Sequence, residues 1–294
     1  MTLLLLQLGT VTVLSKYIIT NIRPIVRHVL KMFSSKLQEL IKLSGIFPVL
    51  KPAGLTSAQL LNRIREKLYS EVGITMKYAR KLALGHGGTL DKLATGVLVV
   101  GVGAGCKQLS QFLHGDKKYI CTAELGTATD TFDCGGVTTE TKNYDHVTKD
   151  SLTDCLKHFT GDILQLPPLY SAVKYGGERL SDITRDGRSV PTLQPRQVRV
   201  HSIQCTDFSP PFFTLAIHSG GGFYVRRLVD DLGRYLDTRA HVCELERTEQ
   251  SPFTLMDCLR EDEWTLHDIK RAIQLSQDHF HKQMSERYDN VKSL

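Results

Sequence analysis

The glycine-rich segment from Gly85 to Gly96 runs directly into the apolar residues Val97 to Val100, and this junction constrains the fold more than any other part of the chain. Glycine adopts backbone conformations that other residues resist, so the segment predicts tight turns that end at a buried strand. A single carboxylate, Asp91, lies among these small residues. Two interpretations of Asp91 are open: a solvated turn residue, or an acid placed for chemistry where a bulky partner can approach the backbone.

The composition is that of a globular chain. Its 294 residues suffice for one large domain or two small ones, and the hydrophobic content of 41% is enough for a core. The formal net charge of +6 suits an anionic partner without requiring one. The seven cysteines lack C-x-x-C spacing, which predicts free thiols in a reducing compartment. His201 and Cys205 are too few ligands for a zinc site, so we expect no metal.

The first 38 residues contain lysine, arginine and histidine but no aspartate or glutamate. Their apolar start is interrupted before it could span a bilayer, so we expect no membrane segment. Two interpretations are open. The stretch resembles a mitochondrial transit peptide, which predicts a mitochondrial protein. Alternatively, it is an extension that precedes a working start at Met32, which favours the nucleus or the cytoplasm.

Helical and strand patterns alternate without a regular βαβ rhythm, which predicts an α+β fold with a mixed, mainly antiparallel central sheet flanked by helices. Helices are predicted over 57–69, 105–113, 149–159, 224–236 and 265–276, and strands over 97–102, 117–125, 197–206, 212–219 and 242–247. Residues 127–139 are predicted to form a loop and 279–294 a mobile charged tail. We expect three parts: an N-terminal extension (1–45), a catalytic domain (46–255) and a short helical tail (256–294).

The residues from Val99 to Cys106 mimic a dinucleotide-binding fingerprint, because glycines follow a strand and precede a helix, and Glu124 lies where a ribose-binding acid would be. However, Cys106 occupies the third glycine position, and no repeated βα units follow. A nicotinamide-dependent oxidoreductase is therefore a weak alternative, which titration with a dinucleotide would test.

A series of short motifs extends from Phe47 to Phe253. In chain order these are KPAGLTS (Lys51–Ser57), GHGGTLDKLATG (Gly85–Gly96), KY (Lys118–Tyr119), GTATDTFD (Gly126–Asp133), QLPPLYSAVK (Gln165–Lys174), GERL (Gly177–Leu180), GFYVRRLVDDLG (Gly222–Gly233) and AHV (Ala240–Val242). Taken in this order, the set closely resembles the TruB family of RNA pseudouridine synthases. The form of the second motif resembles the eukaryotic transfer-RNA branch.

This resemblance implies the pseudouridine synthase catalytic fold and the isomerisation of the uridine at position 55, in the T-loop of transfer RNA (tRNA). It implies no cofactor and no metal. T-loop-like hairpins in messenger RNA are a second expected substrate. Because little chain follows Phe253, a full C-terminal RNA-binding domain is not expected. We therefore expect a stand-alone monomer that binds the T-arm without a guide RNA.

The same resemblance assigns the catalytic residues. Asp91 is the nucleophile, and attack on the base or on the sugar carbon both remain open; a covalent carboxylate splits one difficult step into two. Tyr119 matches the tyrosine that stacks on the target base and takes its proton. Arg226 matches the arginine that pairs with the carboxylate, and such a cation keeps Asp91 ionised and oriented.

Other residues are expected to bind the substrate. His86 matches the histidine that fills the space left in the T-loop when the target base flips out. Tyr224 matches a second pocket aromatic, and Leu245 an apolar residue against the base. Basic residues near the motifs are candidates for phosphate contacts: Lys51, Lys77, Lys81, Lys117, Lys118, Lys174 and Arg227.

Alternatives remain for these residues and for the whole chain. Core packing is the alternative role for Tyr119 and Tyr224 and a stronger alternative for Leu245, and a turn residue bonded to backbone is the alternative role for His86. An RNA-binding protein that acts as a tRNA folding chaperone, with catalysis secondary, is the main rival function. Full function of an Asp91→Asn protein would favour that rival.

Overall fold

The computed structural model describes residues 35–74, 82–190 and 192–292, with side chains up to residue 280. The predicted transit peptide and the alternative start at Met32 lie outside the described residues, as do Lys77 and Lys81. Across the described part of the chain, no helix combines the length and the apolar character that crossing a membrane requires.

Thirteen strands and seven helices make up the described structure. The strands are β1 (Gly45–Lys51), β2 (Leu84–His86), β3 (Thr95–Val102), β4 (Lys117–Leu125), β5 (Thr127–Thr129), β6 (Thr138–Thr141), β7 (Gly161–Gln165), β8 (Lys174–Tyr175), β9 (Glu178–Arg179), β10 (Arg196–Ser209), β11 (Phe212–Ser219), β12 (Ala240–Gln250) and β13 (Phe253–Thr254). The helices are α1 (residues 35–42), α2 (Ser57–Glu71), α3 (Ser110–His114), α4 (Lys149–Lys157), α5 (Leu180–Arg185), α6 (Val225–Tyr235) and α7 (Leu266–Lys292).

One large sheet organises the molecule. Its strands follow the order β1-β3-β12-β4-β11-β10-β7, with β2 on β3 and β13 on β12. Strands β3 and β12 run parallel, and the other neighbouring strands in this order run antiparallel. This confirms the predicted α+β class with a mixed, mainly antiparallel sheet.

Strand β4 lies in the middle of the sheet and forms because its residues alternate between two faces. Tyr119, Cys121 and Ala123 are buried on one face, whereas Lys118 and Ile120 are exposed on the other. Tyr119 lies opposite Ile217 of β11 and Arg247 of β12. This register fixes which side chains of three strands share the buried face.

Helices cover the sheet through apolar stripes. Helix α2 begins with a capping box, in which the Thr56 hydroxyl accepts from the Gln59 backbone N–H at 3.1 Å. It buries Leu60 and Ile64 in the main core cluster. Leu43 and Trp264 belong to the same cluster, although they lie on either side of the predicted 46–255 domain. Those domain boundaries therefore remain a prediction.

Three predicted elements are wrong in detail. Residues 127–139 are not all loop, because Thr127–Thr129 pairs with Thr138–Thr141 as a hairpin. The helix predicted over 105–113 is a 3₁₀ turn (Gly103–Gln108) followed by α3. There the Gly105 backbone packs so tightly on Gly45 that an added Cβ would meet its carbonyl oxygen at 2.0 Å. The helix predicted over 265–276 is longer, since α7 continues to Lys292, while the mobility of the tail stays a prediction.

Candidate active site

A cleft of about 430 Å³ opens on the buried side of β4 and β12. The glycine-rich segment and the first turn of α6 form its other walls. Five residues that the sequence analysis assigned to the site line this cleft together: Asp91, Tyr119, Tyr224, Arg226 and Leu245. Chain folding thus brings together side chains that are far apart in sequence.

Asp91 and Arg226 form a two-point ion pair. Arg226 Nε donates to Asp91 Oδ2 at 2.7 Å, and Arg226 Nη2 donates to Asp91 Oδ1 at 2.9 Å. The Arg226 side chain is 4% exposed, whereas that of Asp91 is 33% exposed. The pairing therefore fixes both the position and the plane of a carboxylate that stays open to the cleft.

Further acceptors hold the buried guanidinium of Arg226. Its Nη1 donates to the Thr131 carbonyl at 2.7 Å, and its Nη2 donates to the Tyr170 carbonyl at 2.9 Å. Burial works to lower the pKa of Arg226, but the Asp91 carboxylate outweighs it and the pKa is raised. Arg226 therefore stays charged and donates four hydrogen bonds, which offset the cost of burying a cation.

Asp133 is a site residue that the sequence analysis did not assign, although it belongs to the GTATDTFD motif. Its Oδ2 lies 3.7 Å from Arg226 Nε. Its Oδ1 accepts from the Thr131 hydroxyl at 2.7 Å and from the Gly135 N–H at 3.0 Å. Asp133 thus places a second negative charge behind Arg226 and fastens the turn whose Thr131 carbonyl also binds that arginine.

Arg247 is the second unassigned site residue. It is 1% exposed, and its Nε donates to the Val97 carbonyl at 2.8 Å while its Nη2 donates to the Gly88 carbonyl at 3.1 Å. Burial lowers its pKa, and Tyr119 opposes the shift. The sequence pattern suggested only the end of a strand at this position, because one strand's spacing cannot show that its last residue faces a cleft.

Tyr119 lies beside this arginine, with 7% of its surface exposed. Burial raises the pKa of its hydroxyl, and the Arg247 guanidinium opposes that shift. Leu245 lines the same cleft from β12 and is 6% exposed. Tyr224 precedes α6, and burial also raises the pKa of its hydroxyl. Two aromatic rings and one aliphatic side chain thus line the same cleft as the Asp91 carboxylate.

His86 lies in an adjoining recess of about 340 Å³, which shares Asp91 and Arg226 with the cleft. Arg179 and Arg185 line the same recess. Burial lowers the pKa of His86 to about 4, and Arg247 and Arg179 add to the shift. Its Nδ1 is buried without a hydrogen-bond partner among the described residues.

This environment of His86 predicts a pH-dependent stability. The folded protein binds the His86 proton less tightly than the unfolded chain, whose histidine pKa is near 6.5, so stability falls as pH drops from 6.5 towards 4. We expect His86→Gln to lose less free energy of unfolding over that range than the wild type. Urea unfolding at both pH values measures this, with exposed His267→Gln as the control. Equal losses in all three proteins would contradict it.

The phosphate contacts predicted for Lys51 and Lys118 do not fit their placement. Lys51 is fully buried, and its Nζ donates to the carbonyls of Ala94 at 2.6 Å and Pro52 at 2.9 Å. Burial lowers its pKa to about 8. Lys118 lies on the face of β4 opposite Tyr119 and pairs with Glu249 at 2.8 Å. The first lysine holds the loop after Asp91, and the second faces away from the cleft.

The other candidates for phosphate contacts differ from one another. Lys117 lines the cleft but is buried, and burial lowers its pKa to about 8. Arg227 is occupied by Asp231 at 2.6 Å, whereas Lys174 is exposed. Arg196, which the sequence analysis did not single out, is exposed and lines the cleft. The exposed cations around the cleft and the recess are therefore mainly arginines.

The dinucleotide alternative fails on the position of its glycines. An added Cβ at Gly101 would meet the Cys106 nitrogen at 3.1 Å, and one at Gly103 would meet the Leu43 carbonyl oxygen at 2.6 Å. Both glycines thus allow backbones to pack closely within the fold. Among the described residues, two side-chain groups have the composition and proximity of metal ligands, and both lie away from Asp91.

Comparison with known proteins agrees with this geometry. The family model described as the N-terminal domain of TruB family pseudouridylate synthase matches residues 76–225. A second model, described as the tRNA pseudouridylate synthase B C-terminal domain, matches residues 226–291. The second match begins at Arg226, so Asp91 lies in the first model and Arg226 in the second. The predicted lack of a full C-terminal RNA-binding domain stays a prediction.

Similar chains include the pseudouridylate synthase TRUB1 of Mus musculus, which is 50% identical over 242 residues, covering 80% of this chain and 72% of the relative. TRUB1 of Homo sapiens is also 50% identical over 242 residues, covering 80% of this chain and 69% of the relative. The tRNA pseudouridine synthase B of Gluconacetobacter diazotrophicus is 39% identical over 220 residues, covering 74% of this chain and 67% of the relative.

Among solved structures, the crystal structure of a Cbf5-Nop10-Gar1 complex superposes with a TM-score of 0.55 and 25% identity. The superposition covers 74% of this chain and 53% of the matched one, so this chain spans about half the length of that neighbour. The 50% identity to TRUB1 over most of the chain carries more weight than the shared fold. The carboxylate and the guanidinium that the motifs singled out also meet in one cleft, and this chain belongs to the TruB family of pseudouridylate synthases.

Proposed function

We propose that this chain isomerises the T-loop uridine at position 55 of tRNA to pseudouridine, as a stand-alone enzyme that needs no guide RNA. The single observation that carries the proposal is the two-point pair of Asp91 and Arg226 in a cleft that Tyr119, Tyr224 and Leu245 also line. A partly exposed carboxylate with fixed orientation is what nucleophilic attack requires.

The reaction breaks the bond from the ribose to a nitrogen of uracil, turns the base and joins the ribose to a carbon. Asp91 is the nucleophile, acting on the base or on the sugar carbon, and is released when the new bond is complete. Arg226 holds it in place through both steps. Tyr119 and Leu245 enclose the uracil, which keeps the detached base in the cleft while it turns.

The carbon that joins the ribose must lose a proton, and Tyr119 is the proposed acceptor. A tyrosine accepts a proton only as phenolate, which burial disfavours. Arg247 acts against that effect, since its guanidinium lies beside the hydroxyl and lowers the pKa of Tyr119 that burial has raised. We therefore assign Arg247 as a positioning residue that offsets part of the effect of burial, which still leaves the pKa of Tyr119 raised.

A uridine stacked inside a folded loop cannot reach a cleft of this depth, so the base must flip out. The recess beside Asp91 suits the strand left behind, because His86 lines it and Arg179 and Arg185 supply positive charge there. This supports the assignment of His86 to the RNA loop. T-loop-like hairpins of messenger RNA fit the same chemistry and are included in the proposed substrate range.

Mapping of pseudouridine on an unmodified tRNA transcript tests this function. We expect conversion at the T-loop uridine by the protein alone, without any added RNA. A transcript with cytidine at that position is the matched control and should remain unmodified. Conversion at another position would contradict the assigned site, and no conversion at all would favour the chaperone alternative.

Salt dependence tests how the RNA is held. Because phosphate contacts release bound counterions, we expect the logarithm of the RNA affinity to fall linearly with the logarithm of salt concentration. Arg196→Gln should reduce the slope by about one unit if that exposed arginine binds a single phosphate. Exposed Lys157, on α4 and paired with Asp154, gives the control Lys157→Gln. An RNA affinity that does not depend on salt concentration would contradict the binding of RNA phosphates by the cleft.

A further inference from the structure

Glu124, His241 and Cys243 form a cluster on the two central strands, on the half-exposed face of β4. Glu124 of β4 lies directly opposite His241 of β12. The register then shifts between Val242 and Glu244, so Cys243 occupies a bulge with no partner on β4. A bulge changes the direction of a side chain. Here the thiol of Cys243 lies close to the imidazole of His241 and the carboxylate of Glu124.

Three candidate ligand atoms form a nearly equilateral triangle. His241 Nε2 lies 3.7 Å from Glu124 Oε2. Cys243 Sγ lies 3.9 Å from Glu124 Oε2 and 3.9 Å from His241 Nε2. Zinc bonds of about 2.0–2.2 Å to nitrogen or oxygen and about 2.3 Å to sulfur place tetrahedral ligand atoms roughly 3.3–3.6 Å apart. The observed triangle needs to close by only a few tenths of an ångström.

The orientation of His241 also suits a ligand. Its Nδ1 lies 3.1 Å from the Thr127 carbonyl, an acceptor that requires a proton on Nδ1. The lone pair of a neutral ring is then on Nε2, the atom that faces Glu124 and Cys243. A backbone carbonyl that fixes the tautomer in this way is a regular feature of histidines that bind metals. The ring is 6% exposed, which limits its movement.

The mixture of donors favours zinc over harder ions. Thiolate, imidazole and carboxylate together are typical of zinc, whereas magnesium and calcium prefer oxygen alone. The other cluster of the described chain, Asp116, His201 and His218, contains no sulfur and is more exposed. Its His201–Asp116 contact of 3.1 Å is explained by an ion pair or a hydrogen bond.

We propose that Glu124, His241 and Cys243 bind one Zn²⁺ ion, with water in the fourth position. Binding replaces the S–H bond of Cys243 with a sulfur–zinc bond, and the proton leaves to solvent. The ion thus takes the place of the thiol proton that Cys243 directs towards Glu124. One proton is released per ion, so affinity should rise with pH.

The proposed ion would join β4 to β12 beside the turn that carries Asp133. Cys134 of that turn donates its N–H to the Val242 carbonyl at 2.8 Å, and Asp133 is the residue that backs Arg226. Zinc would therefore strengthen the junction between two sheet strands and a catalytic turn. The inference concerns stability and does not rest on the proposed RNA substrate.

Cobalt titration of the chelator-treated full chain tests the proposal. Co²⁺ reports a thiolate ligand through a charge-transfer band in the near ultraviolet. We expect the band to saturate at one ion per chain, to disappear on addition of Zn²⁺ and to be absent from Cys243→Ser. Cys205→Ser is the matched control, because it removes another half-buried strand thiol, whose Sγ donates to the Asp207 carbonyl and does not belong to the cluster.

Thermal unfolding with Zn²⁺ alone provides the second readout. Zinc should raise the unfolding temperature of the wild type and of Cys205→Ser but not that of Cys243→Ser. Glu124→Gln keeps the thiol and should weaken zinc binding at least tenfold, which covers the case of a serine variant that does not fold. A missing band, an unchanged band in Cys243→Ser, or millimolar affinity that shows an adventitious ion only, would overturn the proposal.

Discussion

Replacing Asp91 with asparagine is expected to reduce pseudouridine formation by at least about 10⁴-fold, because the substitution removes the nucleophilic carboxylate. Among the described residues that line the cleft, Asp91 carries the only negative charge, and Arg226 holds it in place. Asparagine has nearly the same volume, but its amide N–H₂ would face a donor of the guanidinium. Asp133 still lies 3.7 Å from Arg226 Nε, so the buried cation retains a counter-charge and the fold should survive.

Single-turnover conversion of an unmodified tRNA, measured beside RNA affinity and unfolding temperature, separates the possible causes of such a loss. We expect RNA affinity within a few-fold of the wild type. Asp150→Asn, in the first turn of α4, is the control for removing one exposed carboxylate. Full turnover by Asp91→Asn would refute its role as nucleophile. Restoration of tRNA function in cells by the inactive variant would support the chaperone alternative.

Replacing Gly96 with alanine is expected to destabilise the fold by roughly 3–5 kcal/mol, the range of severe core defects. Gly96 has a φ of +107°, and a Cβ there would lie 2.2 Å from the Arg247 carbonyl oxygen and 2.8 Å from the Arg247 nitrogen. These are backbone atoms of the strand paired with Gly96, so β12 itself must move. The displacement would also shift the guanidinium beside Tyr119.

Gly161→Ala is a matched control for this substitution. Gly161 has a φ of +98°, but nothing lies within 4 Å of its added Cβ. Gly161→Ala therefore reports the backbone strain without the collision. We expect that strain alone to cost about 1 kcal/mol. Urea unfolding of both variants measures the difference. Equal destabilisation would show that the contact between β3 and β12 yields more easily than its spacing suggests.

The sequence predicted those parts of the fold that depend on local patterns. The alternation over 117–125 gives β4 its bounds, and the apolar spacing after Thr56 gives α2 its start. Boundaries failed where tertiary contacts decide them, as at Gly105, whose packing on Gly45 interrupts a helix. The helix preference of a short sequence cannot reveal a contact with a segment 60 residues away.

Site residues divide in the same way. The motifs located Asp91, Tyr119 and Arg226 correctly in one cleft, and a shared family pattern was sufficient for that. The motifs did not show that Lys51 is buried or that Arg247 faces the cleft, because both facts depend on which strands are neighbours. The cluster of Glu124, His241 and Cys243 has the same origin, since cross-strand register brings Glu124 of β4 beside the other two residues, which lie on β12.

The position of β12 in the sheet has a consequence for protein synthesis. This strand fills the gap between β3 and β4, although more than a hundred residues separate it from both along the chain. A ribosome must therefore release residue 250 before the two halves of the sheet can join, and until then the edges of β3 and β4 remain exposed. A fragment that stops at residue 225, where the first family model ends, lacks this strand and should not fold alone. The catalytic cleft can therefore be completed only late in synthesis. The nascent protein is most vulnerable to aggregation just before β12 emerges from the ribosome.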